Sequence, residues 1–142
     1  MRMSPRTTVV TGALLAALGV GLGAFGAHGL KDLVEPAMLA NWETGVRYQM
    51  YAALAMLALS LRREQTRAPI FLVSGAAIFA GSLYVMALTG LRLLGAITPI
   101  GGVLLIAGLL LAAWDAYRAP SATQDREADT TPGKPGRGAL DR

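Results

Sequence analysis

Four stretches of the sequence carry no charged residue: Thr7–Leu30, Tyr48–Leu61, Ala68–Leu91 and Leu93–Trp114. Three of them run past twenty residues, and a helix needs about 20 apolar residues to cross the ~30 Å hydrocarbon core of a bilayer. A soluble protein of this size would interrupt such runs with a polar face on every helix. The chain is therefore expected to be all-α: a four-helix transmembrane bundle with short loops and a disordered C-terminal tail.

At 142 residues the chain is long enough for one domain. Only 15% of residues are charged, against roughly 25% in soluble domains. The net charge of +4 does not point to nucleic acid. The basic residues flank the apolar runs and form no patch with interleaved aromatics, so they are better placed to orient the chain in a bilayer. Cysteine is absent, which excludes disulfides, thiolate metal sites and thiol nucleophiles. Arg2 and Arg6 ahead of an apolar run also resemble a secretory signal. That run is longer than the 7–15 residues of a signal core, so a retained helix is expected.

The helices are expected at about Thr8–Ala27, Trp42–Leu61, Pro69–Thr89 and Leu94–Trp114, within a membrane domain of residues 1–118. In the first, Gly12, Ala16, Gly19, Gly23 and Gly26 are spaced 4, 3, 4 and 3, which puts them on one face. Small residues let helix backbones approach closely in lipid, so this face is expected to be a packing seam. The second apolar run has only 14 residues. Extending it back to Trp42 places Glu43 and Arg47 at or inside the outer boundary, four residues apart and able to pair. Pro36 can open a helical turn in the preceding loop. Gly90-Leu91-Arg92 is a tight turn between antiparallel neighbours. Either Thr98 caps a helix that starts at Pro99, or Pro99 kinks one that began near Leu93. The first option leaves only 16 residues to Trp114, so a kink or an irregular first turn is expected. Residues 119–142 lack any apolar period and are expected to form a disordered tail.

Lysine and arginine set orientation. Arg2, Arg6, Arg62, Arg63, Arg67 and Arg118 lie on one side, and Lys31, Arg47 and Arg92 on the other. Both termini are therefore expected in the cytoplasm. With this topology His28, Trp42, Glu43, Arg47, Tyr48, Gln49, Ser82, Tyr84 and Thr98 all belong to the outer half of the bundle. The inner half holds little that is polar beyond Ser60 and Ser74. Such a cluster either satisfies itself as packing glue or forms a site open to the outside. A metal centre needs several His, Cys or carboxylate ligands, and His28 is the one histidine. No catalytic or phosphate-cradling motif is present, and the third and fourth helices contain no acid for a proton relay.

At these residues the sequence resembles a known family. Gly23-Ala24-Phe25-Gly26-Ala27-His28-Gly29-Leu30, Trp42, Tyr48-Gln49, Gly81-Ser82-Leu83-Tyr84 and Ile97-Thr98-Pro99-Ile100-Gly101-Gly102 are similar in order and spacing to the domain of unknown function 423 family. These are small bacterial inner-membrane proteins, similar to the eukaryotic transmembrane protein 256 group. The resemblance spans about Thr8–Trp114 and implies four transmembrane helices and no particular activity. The family's usual Tyr-Gln-x-x-His would place a histidine at position 52, which is Ala52 here. Ala80 stands where a serine is common. No histidine pair with His28 is therefore carried over.

The expected role is that of a non-enzymatic structural, assembly or lipid-contacting accessory protein, with no catalytic, cofactor or metal residues. Its expected partners are the bilayer and either a second copy or another membrane protein, not nucleic acid. The alternative is a small-molecule binding or transport module that uses the outer polar cluster. A cavity reaching Gln49, Tyr84 and His28 would favour the alternative, and a closed cluster the first reading.

Overall fold

The computed structural model describes residues 2–62 and 66–119. It contains four helices: α1 (Pro5–Phe25), α2 (Pro36–Ser60), α3 (Ala68–Thr89) and α4 (Thr98–Arg118). Each carries a proline in its first turn: Pro5, Pro36, Pro69 and Pro99. There the missing N–H is harmless and the fixed φ is already helical. Ser4 caps α1 by accepting a hydrogen bond from the Thr7 amide at 3.1 Å. Gly90 ends α3 with φ 72°, a left-handed conformation that only glycine takes without strain.

Several boundaries differ from the sequence expectation, each for a local reason. The first helix does not stop near Ala27, because a π-helical turn, Gly26–Leu30, carries it on. The second starts at Pro36, six residues before Trp42, so the expected loop helix is the first part of α2 itself. The irregular turn before the fourth helix is a 3-10 turn, Arg92–Ala96, after which Pro99 sits in the first turn of α4 and not in a kink. That helix runs past Trp114 to Arg118 because Asp115 is held at its end, as described below. Residues 120–142, which include nearly all of the expected tail, lie outside the described residues.

Helix α1 with its π-helical turn, α3, and α4 with the 3-10 turn before it are long and apolar enough to cross a membrane: Pro5–Leu30, Ala68–Thr89 and Arg92–Arg118. Glu43, Arg47 and Gln49 make α2 more polar. At 25 residues it is still about 37 Å long at 1.5 Å per residue. It also has to return across the full thickness. The Met3 amide donates to the Thr66 carbonyl at 3.2 Å, so α2 must end on the side where α1 began.

The helices pack in a row, α1 on α2, α2 on α3 and α3 on α4. Among the described residues α1 and α4 do not pack on each other. The core falls into two clusters separated along the helices. Leu30, Met38, Trp42, Leu83 and Met86 fill the end where α2 begins. Ala52, Met56, Leu72, Ala76 and Leu105 fill the other. The outward faces of α1 and α4 stay apolar and exposed, with Leu14, Val20, Val103 and Leu110 among them. A bilayer supplies the cover that a soluble fold would need.

Candidate functional site

Glycines decide which side chains can enter between the helices. A Cβ on Gly26 would lie 2.7 Å from Cδ1 of Trp42, and one on Gly45 would lie 2.8 Å from Cε1 of Tyr84. One on Gly19 would meet Sδ of Met50 at 2.7 Å and Nε2 of Gln49 at 3.5 Å. The missing side chains therefore make room for Trp42, Gln49 and Tyr84. The buried Trp42 and Gln49 and the half-buried Tyr84 then form one network across α1, α2 and α3. The Trp42 indole Nε1 donates to the Leu22 carbonyl at 2.9 Å. Nε2 of Gln49 donates to the Leu15 carbonyl at 2.9 Å, and its Oε1 accepts from the Tyr84 hydroxyl at 3.0 Å. The Trp42 and Tyr84 rings lie 4.6 Å apart between centroids.

The Leu22 carbonyl is also approached by the Gly26 amide, which is shared with the Gly23 carbonyl. A carbonyl has two lone pairs, so Trp42 takes the one the helix leaves over. This double use sits where α1 passes into its π-helical turn, a frequent place for local backbone adjustment.

The expected single outer cluster is in fact divided. Ser82 and Tyr84 are two residues apart on α3, roughly 200° around the helix at about 100° per residue, so they face opposite neighbours. Tyr84 turns to α2 and Ser82 to α4. Oγ of Ser82 bonds Oγ1 of Thr98 at 2.8 Å and donates to the Phe79 carbonyl at 2.9 Å. Thr98 therefore joins Ser82 and not Gln49. Tyr48 belongs to neither network. It is 41% exposed, and its ring packs 4.8 Å from that of Phe79.

The remaining candidates lie outside both networks. His28, Glu43 and Arg47 are exposed. Among the described residues no ion pair within 4.0 Å joins Glu43 to Arg47. Both side chains are free to extend outward, and an exposed pair gains little from holding one geometry. With Gly23, Trp42 and Val46 they line a shallow cleft of about 280 Å³. A second, apolar groove of about 310 Å³ runs between α2, α3 and α4 beside Tyr48, Tyr51, Phe79 and Leu105. Neither opening is lined by Gln49, Tyr84 or His28. Among the described residues every buried side-chain nitrogen and oxygen has a hydrogen-bond partner. No group of three His, Cys, Asp or Glu side chains gathers there either.

Along the expected seam of α1, Gly12, Gly19 and Gly26 are buried against α2, while Ala16 and Gly23 are half-buried. Leu14 and Leu18 are 66% and 55% exposed. Leu22 departs from that pattern. It is half-buried because it packs against the cluster that holds Trp42. Two consequences differ in size. Gly19→Ala is expected to be mild, since Met50 can swing its sulfur aside, whereas Gly26→Ala must displace a buried indole ring and its hydrogen bond. Thermal unfolding in detergent should show about 2 kcal/mol lost at Gly26 and under about 1 kcal/mol at Gly19.

Sequence reasoning missed two features. A second glycine set, Gly75, Gly101 and Gly108, brings α3 and α4 together. A Cβ on Gly75 would sit 2.8 Å from the Leu105 amide nitrogen, and one on Gly108 3.1 Å from that of Leu72. The spacing of Gly101 and Gly108, seven apart, was its signal. At the end of the bundle where α3 begins, the Thr66 hydroxyl donates to the Asp115 carboxylate and accepts from the Ala68 amide at 3.2 Å. Arg118 stacks over Trp114 with its guanidinium 4.3 Å from the ring centre. Nothing in local spacing links Thr66 to Asp115.

A family model described as "Protein of unknown function (DUF423)" matches residues 22–102. That stretch holds Trp42, Gln49, Ser82, Tyr84 and Thr98. The chain is 45% identical over 108 residues to a UPF0382 membrane protein of Staphylococcus saprophyticus, covering 72% of this chain and 90% of that one. It is 42% identical over 105 residues to the UPF0382 membrane protein YwdK of Bacillus subtilis, covering 69% and 85%. A UPF0382 membrane protein of Staphylococcus aureus is 43% identical over 109 residues, covering 72% and 88%. No solved structure matches the chain.

Proposed function

Since the chain belongs to the DUF423 family of membrane proteins, we propose that it is a non-enzymatic component of the bacterial inner membrane, a structural or assembly element in contact with lipid. One observation carries this reading. The polar groups of Trp42, Gln49, Ser82, Tyr84 and Thr98 are consumed by one another and by backbone carbonyls. Gln49 spends its amide on Leu15 and its carbonyl on Tyr84, and among the described residues no buried side-chain nitrogen or oxygen is left without a partner. A site for a polar ligand or a reacting atom needs such a group free.

The test is Gln49→Leu purified from native membranes. The reading expects lower thermal stability with the same co-purifying small molecules as the wild type. A molecule bound by the wild type and lost by the variant, at unchanged stability, would overturn it in favour of a binding module.

Orientation belongs to the same proposal. The Met3–Thr66 and Thr66–Asp115 contacts gather the start of α1, the α2–α3 connection and the end of α4 at one end of the row. Arg2, Arg6, Arg62, Arg67 and Arg118 stand around it. The positive-inside rule puts that end in the cytoplasm. Fusions at the C-terminus should be active with a cytoplasmic reporter and silent with a periplasmic one, and the reverse pattern would invert the topology.

A further inference from the structure

Arg47 sits at a depth where lipid alone serves it poorly. The first span is Pro5–Leu30, and Gly19, near its middle, packs on Met50 of α2. Arg47 is three residues from Met50, so its Cα lies about 4.5 Å from that level at 1.5 Å per residue. Its side chain and that of Glu43 are exposed, and among the described residues they form no ion pair. Ionisable groups at this depth ordinarily face a protein neighbour or a water-filled cavity.

The two charges are not isolated. Ala40, Glu43, Arg47, Tyr51, Leu54 and Ala58 are all exposed, and at 100° per residue they form one stripe down α2. The buried side of α2, with Trp42, Gln49 and Met56, faces the opposite way toward α1 and α3. The stripe is charged in its outer half and apolar in its inner half.

We propose that this stripe is the contact face for a second copy of the chain, in a two-fold dimer with its axis along the membrane normal. An acid and a base one helical turn apart on one face are self-complementary under a two-fold axis, because each Glu43 then meets the Arg47 of the other copy. Side chains lean toward the N-terminus of their own helix, which for α2 is the outer end. Glu43 leans the same way, but the longer Arg47 side chain can reach outward to its level, which compensates for the turn that separates them. The inner residues, Leu54 and Ala58, continue the contact without charge. A headgroup phosphate does not fit as well, since Arg47 roots close to the middle of the span and Glu43 on the same face repels an anion. The proposal rests on the membrane placement above and is independent of any role for the buried network.

The chain lacks cysteine, so a single introduced cysteine reports proximity without background. Ala40→Cys and Leu54→Cys, oxidised in native membranes, should give a cross-linked dimer. Leu14→Cys on α1 and Leu110→Cys on α4 should give at least tenfold less. Adding Glu43→Arg or Arg47→Glu to Ala40→Cys should reduce the dimer tenfold or more. Co-expressing those two charge variants should restore it, because one copy then offers two bases and the other two acids. Should a charge reversal fail to accumulate, the neutral pair Glu43→Gln with Arg47→Gln tests the same loss. Equal cross-linking at all four positions, indifference to the charges, or a cross-linked band containing another polypeptide would each overturn the dimer. A chain missing from the membrane fraction, or a reversed fusion pattern, would instead sink the placement on which it rests.

Discussion

Gly101→Ala is expected to remove most of the folded protein from membranes, while Gly81→Ala leaves the amount unchanged or slightly raised. Both add one methyl group to a helix at a glycine. On Gly101 the new Cβ would run into the backbone of Phe79, lying 2.7 Å from its Cα. A flexible side chain could turn away, but a helix backbone cannot, so α3 and α4 must separate. The neighbouring close approaches, Gly75 to Leu105 and Gly108 to Leu72, open with them. Overpacking of this kind costs typically about 1–3 kcal/mol and sometimes more, and contact with a backbone places Gly101 at the upper end. A loss of about 3 kcal/mol is a large part of the roughly 5–15 kcal/mol that holds a domain together. Gly81 has nothing within 4 Å of its absent Cβ, so there alanine brings only its better helix propensity, about 0.5–1 kcal/mol. Immunoblots of membrane fractions, followed by thermal unfolding of what can be purified, separate the two outcomes.

Gln49→Leu carries the second large effect. Gln49 is 4% exposed, and its removal leaves the Tyr84 hydroxyl without an acceptor between α2 and α3. The Leu15 carbonyl loses only an additional donor, because it retains its bond within α1. An abandoned buried hydroxyl costs about 1–3 kcal/mol. Hydrogen bonds between membrane helices average nearer ~0.6 kcal/mol, with a maximum of about 1.7. The expected loss is thus about 1–2 kcal/mol. Tyr84→Phe should cost a similar amount by stranding Oε1 of Gln49, and it keeps the ring against Trp42. Neither change is expected to alter topology or remove a ligand.

Much of the fold was legible in the sequence because lipid makes hydrophobicity a blunt and reliable signal. Four apolar runs separated by short charged connections gave an all-helical membrane fold with antiparallel neighbours. The prolines Pro5, Pro36, Pro69 and Pro99 mark the starts closely, yet the reading placed α2 at Trp42 because the polar stretch before it looked like loop. The burial of Gly12, Gly19 and Gly26 against α2 agrees with their regular spacing. Gly45 gave no comparable pattern, and the seven-residue spacing of Gly101 and Gly108 marks one face without saying which turn of α3 lies opposite.

The candidate residues were less legible. Gln49 and Tyr84 are in one network, but Ser82 and Thr98 are in another. Sequence gives the depth of a residue in the membrane more readily than the neighbour its face will meet. The two-residue step from Ser82 to Tyr84 divides the cluster, and its direction depends on the serial order of the helices. The exposed Glu43 and Arg47 illustrate the same limit. Their i, i+4 spacing suggested a pair within the helix, while both side chains extend outward from the stripe on α2.

The most direct measurement of the central claim, that the Trp42–Gln49–Tyr84 network holds the helices together, is a double-mutant cycle on Gln49→Leu and Tyr84→Phe. Thermal or denaturant unfolding of the four proteins in one detergent gives the coupling between the two residues. Removing both partners leaves no orphaned polar group, so the double variant should cost clearly less than the sum of the singles, with a coupling of about 1 kcal/mol. Single variants as stable as the wild type, with costs that merely add and a bound molecule that disappears, would contradict the account.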